Sequence, residues 1–426
     1  MSRRTLLLLL VSSALAHANG RPPFTNGIYF QPGDNQSIYV RSTFGLLISH
    51  DGGCSFRWTC EDSIGYGGTF DPQYAIAADG SIYATTYAGL HVTHDGGCTW
   101  GMALANRYVN GIDLGSNGDV WIVTSDSAVP NDVLRSVDGG ATFGSAGFAS
   151  TSLLMNSIKV APSDPMTLYT TGYQLGSGAH FYTTTNAGSA WTESALAGVT
   201  YGPTPVLALA AVDPANPMIV FATSIGASPP VGDTLYRSAD GGGTFAQVLT
   251  TTQPIAGVVD LDGSSVVVAT GTGGAFRSSD GGMSFQPMAG TPQLLCIGKR
   301  PDGTLVGCGT NWDPDFMAVA TTGDMTTWNK MFRFAELDGV VACPAGTLDH
   351  DVCDVQQWPT IAAQFGVIGP SCPSATDVPA DAAAPPVKPP MTGGSCNGAG
   401  DAPIGLFALV AIALALGYKK RRQSSV

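Results

Sequence analysis

The chain has 426 residues, with 55 Gly, 28 Pro and only 12% charged residues, a profile of many short strands joined by tight turns. Setting aside the basic residues of the two ends (Arg3, Arg4, Lys419, Lys420, Arg421 and Arg422), 13 Lys and Arg stand against 32 Asp and Glu, about −19. A body so acidic is repelled by phosphate backbones, which excludes nucleic acid as a partner.

In chain order, Met1–Ala18 reads as a signal peptide. Arg3 and Arg4 precede the apolar run Leu6–Val11, and Ala16-His17-Ala18 fits a cleavage site, with Ala18 the last residue before the cut by signal peptidase. Export implies an oxidising compartment, and a disulfide reading of the nine cysteines follows.

The next stretch shows the plan of a repeat. Gly27–Gln31, Ser37–Arg41, Leu46–His50 and Ser55–Thr59 are expected as four strands, innermost to outermost, filled by Tyr and β-branched residues and separated by Gly, Asn, Asp and Pro. Between the third and fourth stands the phrase SHDGGCSF (Ser49–Phe56), which returns as THDGGCTW, SVDGGATF, TTNAGSAW, SADGGGTF, SSDGGMSF and TTGDMTTW. Its third positions are Asp51, Asp95, Asp138, Asn186, Asp240, Asp280 and Gly323, in steps of 44, 43, 48, 54, 40 and 43 residues. That period marks a propeller or another repeat array. The Ser/Thr and Asp oxygens close a turn, the Gly pair supplies positive φ, and the closing aromatic enters the next strand. These residues are therefore assigned a structural role. Residues 19–335 read as an all-β, seven-bladed β-propeller, closed by direct packing of the first blade on the last.

In such a ring the loops between second and third strands share one face with the blade-to-blade loops. Four of the former are expected to be long: Ser125–Val133, Thr171–Phe181, Ser224–Leu235 and Thr310–Phe316. Candidate ligand-binding residues on this face are Tyr66, Tyr108, Tyr173, His180, Tyr201 and Trp312, with Phe70, Asp313 and Asp315 beside them. Several aromatics and few charges suit a sugar ring or an extended peptide; the alternative is that the rings pad their own loops. No metal-ligand spacing, phosphate loop or nucleophile elbow is present, and no cofactor is expected. Asp260-Leu261-Asp262-Gly263 reads as a strand-connecting turn.

Cys296 and Cys308 fall on adjacent strands of the last blade and are expected to be bridged. Residues 336–372 repeat nothing earlier and are expected to fold against the propeller, stapled by Cys343–Cys353 or by a pairing with Cys372; Cys54, Cys60 and Cys98 have no evident partner. Residues 373–393, rich in Pro, Ala and Asp, read as an extended linker. Residues 394–426 carry Cys396, the apolar run Ala402–Tyr418 and the basic cluster Lys419–Arg422, a short transmembrane helix with its basic end cytoplasmic.

Two resemblances rest on these residues. The repeated phrase resembles the Asp-box, or BNR repeat, S-x-D-x-G-x-T-W. With APSDPMTLYTTG from Ala161 and VDPANPMIVFATS from Val212, the repeat unit is also similar to BNR-like propellers of the photosystem-assembly-factor and sortilin type. The resemblance implies that the phrases lie at the outer rim, away from the ligand-binding face. The tail resembles a Myxo-CTERM sorting tail, which implies a bacterial protein, transient membrane anchoring, cleavage by a sorting protease and display at the cell surface, with Cys396 as the processed residue; the alternative is a permanent membrane anchor.

The best-known Asp-box enzymes are sialidases, whose sites need three converging arginines, a Tyr–Glu pair and an Asp. Arg135, Arg237 and Arg277 each precede a repeat phrase and belong to the scaffold; Arg41, Arg57, Arg107, Arg300 and Arg333 lie in no sialidase-like context. No catalytic residue is assigned. The expected function is that of a non-enzymatic binding or scaffolding module for a glycan or protein ligand. Clustering of Arg107 and Arg300 with an acidic partner would favour a sialidase-like glycoside hydrolase instead. An assembly factor for another exported protein is the third reading.

Overall fold

The computed structural model describes residues 21–174, 176–200, 206–224 and 232–370. Among these, the strands form seven antiparallel sheets of four strands, to one of which a fifth is added. Each sheet is a blade of a seven-bladed β-propeller: residues 25–59, 74–105, 109–150, 154–193, 207–250, 257–288 and 296–332. Strand alternation explains the ring. Along the second strand of blade 1 (Ile38–Ser42), Ile38 and Val40 enter the core shared with blade 7, whereas Tyr39 enters the core shared with blade 2. In blade 3, Trp121 and Val123 face blade 4, and Val120 and Ile122 face blade 2. A period of two thus serves two cores, and second strands are apolar on both faces.

The repeated phrase forms the turn between third and fourth strands. In blade 5, the Ser238 hydroxyl donates to Asp240 and accepts from Gly242 N–H at 2.8 Å, while Asp240 accepts from Thr244 N–H at 2.9 Å and from its hydroxyl at 2.8 Å. Asp51, Asp95, Asp138 and Asp280 repeat this pattern. Asn186 accepts from Ala190 N–H, which has no hydroxyl to add. The seventh copy differs from the sequence reading, because Asp324, one position after Gly323, accepts from Thr326 and Thr327 N–H. The second Gly of the phrase has two duties. Gly242 has φ +89°, and a Cβ there would lie 2.2 Å from the Phe181 ring of blade 4. The closing aromatic of each phrase packs into the core shared with the preceding blade, Phe56 and Phe245 fully.

The hydrogen bonds from Thr244 N–H, Ser238 and the Thr244 hydroxyl hold the Asp240 carboxyl down at about 2. A depressed carboxyl stabilises the fold above its unfolded value near 4, and this is lost as pH falls through about 2. Asp240→Ala is therefore expected to cost about 1 kcal/mol at neutral pH, in line with loss of a capping carboxylate. Thermal melts should show the gap from the parent shrinking between pH 4 and pH 2; a constant gap would contradict this account.

Blades 1 and 7 meet directly, and Thr25 Oγ1 donates to the Ala318 carbonyl at 2.7 Å. After the last blade the chain returns to the outside of the first. Leu337–Val340 adds as a parallel strand to Phe56–Thr59, with Leu337 opposite Phe56 and Val340 opposite Trp58. A π-helix (Asp349–Gln357) and an α-helix (Trp358–Phe365) follow, burying Cys353, Ile361 and Phe365 against Trp58, Phe44 and Phe334. This clasp covers the outer strand of blade 1, which is largely buried, whereas the outer strands of blades 2 and 5 are largely exposed.

Cys296 and Cys308 lie opposite each other in blade 7 and are bridged. The Cys343–Cys353 pairing expected from sequence is corrected: Cys343 bonds Cys98 of blade 2, and Cys353 bonds Cys60 beyond blade 1. The two bridges fix the clasp to the start of the ring, because the clasp runs along its first two blades. Cys54 is disulfide-bonded as well. Among the described residues, no helix is long and apolar enough to cross a membrane. Ala18, Tyr201, Cys372, Cys396 and the apolar run 402–418 lie outside the described residues.

Candidate functional site

A cleft opens on the loop face between blades 1 and 2. Beyond Cys60, a one-turn helix (Glu61–Ile64) is ended by Gly65 at φ +92°, where a Cβ would lie 2.4 Å from the His91 ring. That close approach seats Tyr66 on the core between the two blades, beside Tyr74. Burial first, and then Tyr74, Glu61 and Asp71, hold the Tyr66 hydroxyl well above the usual phenol range, so it stays protonated. Beside it, Asp71 takes a two-pronged ion pair from Arg21 at 2.6 and 2.9 Å and a hydrogen bond from Asn26. Buried Arg41 is spent on Asn26 and the Pro72 carbonyl.

The opposite wall is the turn after the second strand of blade 2. Thr86 Oγ1 accepts from Ala88 and Gly89 N–H, and the tight turn leaves Tyr87 48% exposed. Tyr87 stands 4.5 Å, between ring centres, from both Phe70 and Tyr108, which are 6.0 Å apart. Tyr108 donates to Asn110, and Asn110 donates in turn to the Met155 carbonyl of blade 4. Asp62, Gly65, Tyr66, Gly67, Thr86, Tyr87 and Ala88 enclose a cleft of about 350 Å³. That is at the small end for ligand sites, enough for one ring or one long side chain.

Of the residues expected on this face, Tyr66 lines the cleft with Tyr87, and Tyr108 packs behind Tyr87. Tyr173 does neither. Thr171–Phe181, read from sequence as a loop, is a strand hairpin in which Tyr173 pairs with Ala179, and Tyr173 is only 3% exposed. His180, on the same hairpin, bonds Glu193 of the outer strand at 2.6 Å. Trp312 packs on the core of blades 7 and 1. Tyr87 went unnoticed in the sequence. The available signal was an aromatic in a turn too short to need padding.

The arginines do not converge. Arg107 is held by Asp126, Asp132, Thr124 and the Pro130 carbonyl. Arg300 lies on the opposite face, on the Asn35 carbonyl and Asp302. Arg135 pairs with Asp119 over the Trp121 ring, and Arg57 with Asp338. Asp260 and Asp262 accept from Gly263, Ser264 and Ser265 N–H, a strand-connecting turn. Among the described residues, no three His, Cys, Asp or Glu side chains are grouped to share a metal ion.

The chain matches no protein-family model and no curated protein sequence. Solved structures do resemble it. An ancestral GH74 enzyme superposes with a TM-score of 0.53 at 15% identity over 72% of this chain and 46% of its own. The YCF48 protein of Cyanidioschyzon merolae gives 0.47 at 14% identity over 67% of this chain and 92% of its own. A GH74 xyloglucanase from Xanthomonas campestris gives 0.42 at 14% identity over 72% and 66%. The chain spans less than half the length of the first of these, and at 15% identity that likeness carries the fold alone.

Proposed function

We propose that the chain is an exported Asp-box propeller that acts as a binding module through the cleft between blades 1 and 2, not through catalysis. The observation that carries this reading is Tyr87, a half-exposed ring backed by Phe70 and Tyr108 and facing a cleft shared with Tyr66. An exposed aromatic held rigid by its neighbours presents apolar area at little entropic cost, as binding surfaces require. The described arginines are all engaged with carboxylates, carbonyls or side-chain oxygens, which weighs against a sialidase-like carboxylate clamp. The disulfide bridges support export, since such bonds persist in oxidising compartments. Display through a sorting tail remains part of the proposal.

A glycan-array and hydrolysis screen on the purified protein tests this, alongside a pull-down for protein ligands. Tyr87→Ala is expected to weaken binding at least ~10-fold while lowering the melting temperature only slightly, because the side chain is a half-exposed anchor. Release of free sugar by the parent protein would replace the binding reading with that of a glycoside hydrolase.

A further inference from the structure

We infer that the occupant of the cleft is the guanidinium of an arginine side chain on a polypeptide partner. This deepens the binding reading and rests on it. The cleft is lined by two tyrosine rings, small residues and a single charged side chain, the exposed carboxylate of Asp62. Asp62 Oδ2 accepts from Gln357 Nε2 of the clasp at 2.5 Å, which fixes the carboxylate, and Oδ1 has no hydrogen bond among the described residues. No ion pair to Asp62 is formed among the described residues, and the arginines around Asp71 are engaged elsewhere. Arg21 is held by Asp71, and Arg41 by Asn26 and the Pro72 carbonyl.

A carboxylate in a cleft walled by the half-exposed Tyr87 ring selects a cation over an anion or a neutral group. Between the two cationic side chains the geometry favours arginine. Its planar fork can bond a carboxylate edge while its face lies on a tyrosine ring, whereas an ammonium is a compact, strongly hydrated point charge. The Tyr66 phenol, kept neutral, does not compete as an anion. The formal charge of −13 attracts a basic partner at long range and repels acidic ones.

The test uses the full-length protein and two probes, acetyl-Gly-Gly-Arg-Gly-Gly-amide and the same peptide with citrulline, the neutral isostere of arginine. Titration by NMR is expected to give about millimolar affinity for the arginine peptide and roughly tenfold weaker binding for citrulline. Asp62→Asn, which keeps the acceptor for Gln357, should lower affinity for the arginine peptide about tenfold and leave the citrulline peptide unchanged. Tyr87→Ala should weaken both, and Val137→Ser, on the opposite face, should weaken neither. Equal binding of the two peptides, or indifference to Asp62→Asn, would overturn the inference. Glycan binding lost in Tyr87→Ala, without arginine binding, would also overturn it while upholding the binding module. Absence of any glycan, peptide or protein ligand would reject both.

Discussion

Removing the Cys60–Cys353 and Cys98–Cys343 bridges together is expected to destabilise the protein by more than the sum of the two single losses. The bridges span 293 and 245 residues, and each ties the clasp to the first two blades. With one bridge intact, the unfolded chain is already a closed loop, and the second adds only a short cycle through residues 60–98 and 343–353. With both gone, the large loop opens as well. Chain entropy grows with the logarithm of loop length, so each single change should cost about 2–4 kcal/mol and the pair a further ~1–2 kcal/mol beyond their sum. Cys54 is also disulfide-bonded, so the cycle is best built on a Cys54→Ser parent. Denaturant melts of the four proteins under non-reducing conditions supply the measurement. Strict additivity would mean that the bridges act through local packing in the clasp and not through ring closure.

The same long-range closure explains what could and could not be read from the chain. The strands of blade 1 and the repeat turns are local: Ser49, Asp51, Gly53 and Ser55 bond one another within seven residues. Cys296 and Cys308 are separated by one hairpin, so strand register alone pairs them. The partners of Cys60 and Cys98 depend on where the chain arrives after a full circuit of the ring, and nothing near either cysteine encodes that. Leu337–Val340 has no repeat phrase, and its parallel pairing with Phe56 and Trp58 follows from the unfilled outer edge of blade 1. Within the candidate site, Tyr66 and Tyr108 were visible as aromatics in blade-to-blade segments. Tyr173 misled because its hairpin continues in register to Gln174 opposite Gly178, turning an apparent loop into buried strand. Tyr87 escaped notice because it lies between two strands whose apolar pattern accounts for its neighbours.

The clasp also holds a buried carboxyl raised well above the usual carboxylate range, and neutralising it should stabilise the protein in a pH-dependent way. Asp349 is 0% exposed, bonded by the Thr59 hydroxyl, with Cys343 Sγ 3.5 Å from Oδ2. Burial first, against the hydrogen bond of Thr59 and with the negative charges of Asp354 and Asp95 adding to it, pushes the carboxyl up to about 7. Below about pH 4 the group is protonated in both the folded and the unfolded chain, so it costs nothing. As pH rises from 4 to 7 the unfolded chain releases the proton and the folded chain keeps it, and stability falls; above 7 the loss is complete. A shift of this size corresponds to at most about 4 kcal/mol. Asp349→Asn keeps the shape and removes the titration. The variant should match the parent near pH 4 and gain on it steadily to pH 7, with a plateau above, reaching about 2–3 kcal/mol once relaxation around the site is allowed for. Urea melts at half-unit intervals from pH 4 to pH 8 would show it. A gap that does not grow with pH, or a parent more stable than the variant at pH 8, would mean that Asp349 is ionised in the folded clasp and held there by Thr59.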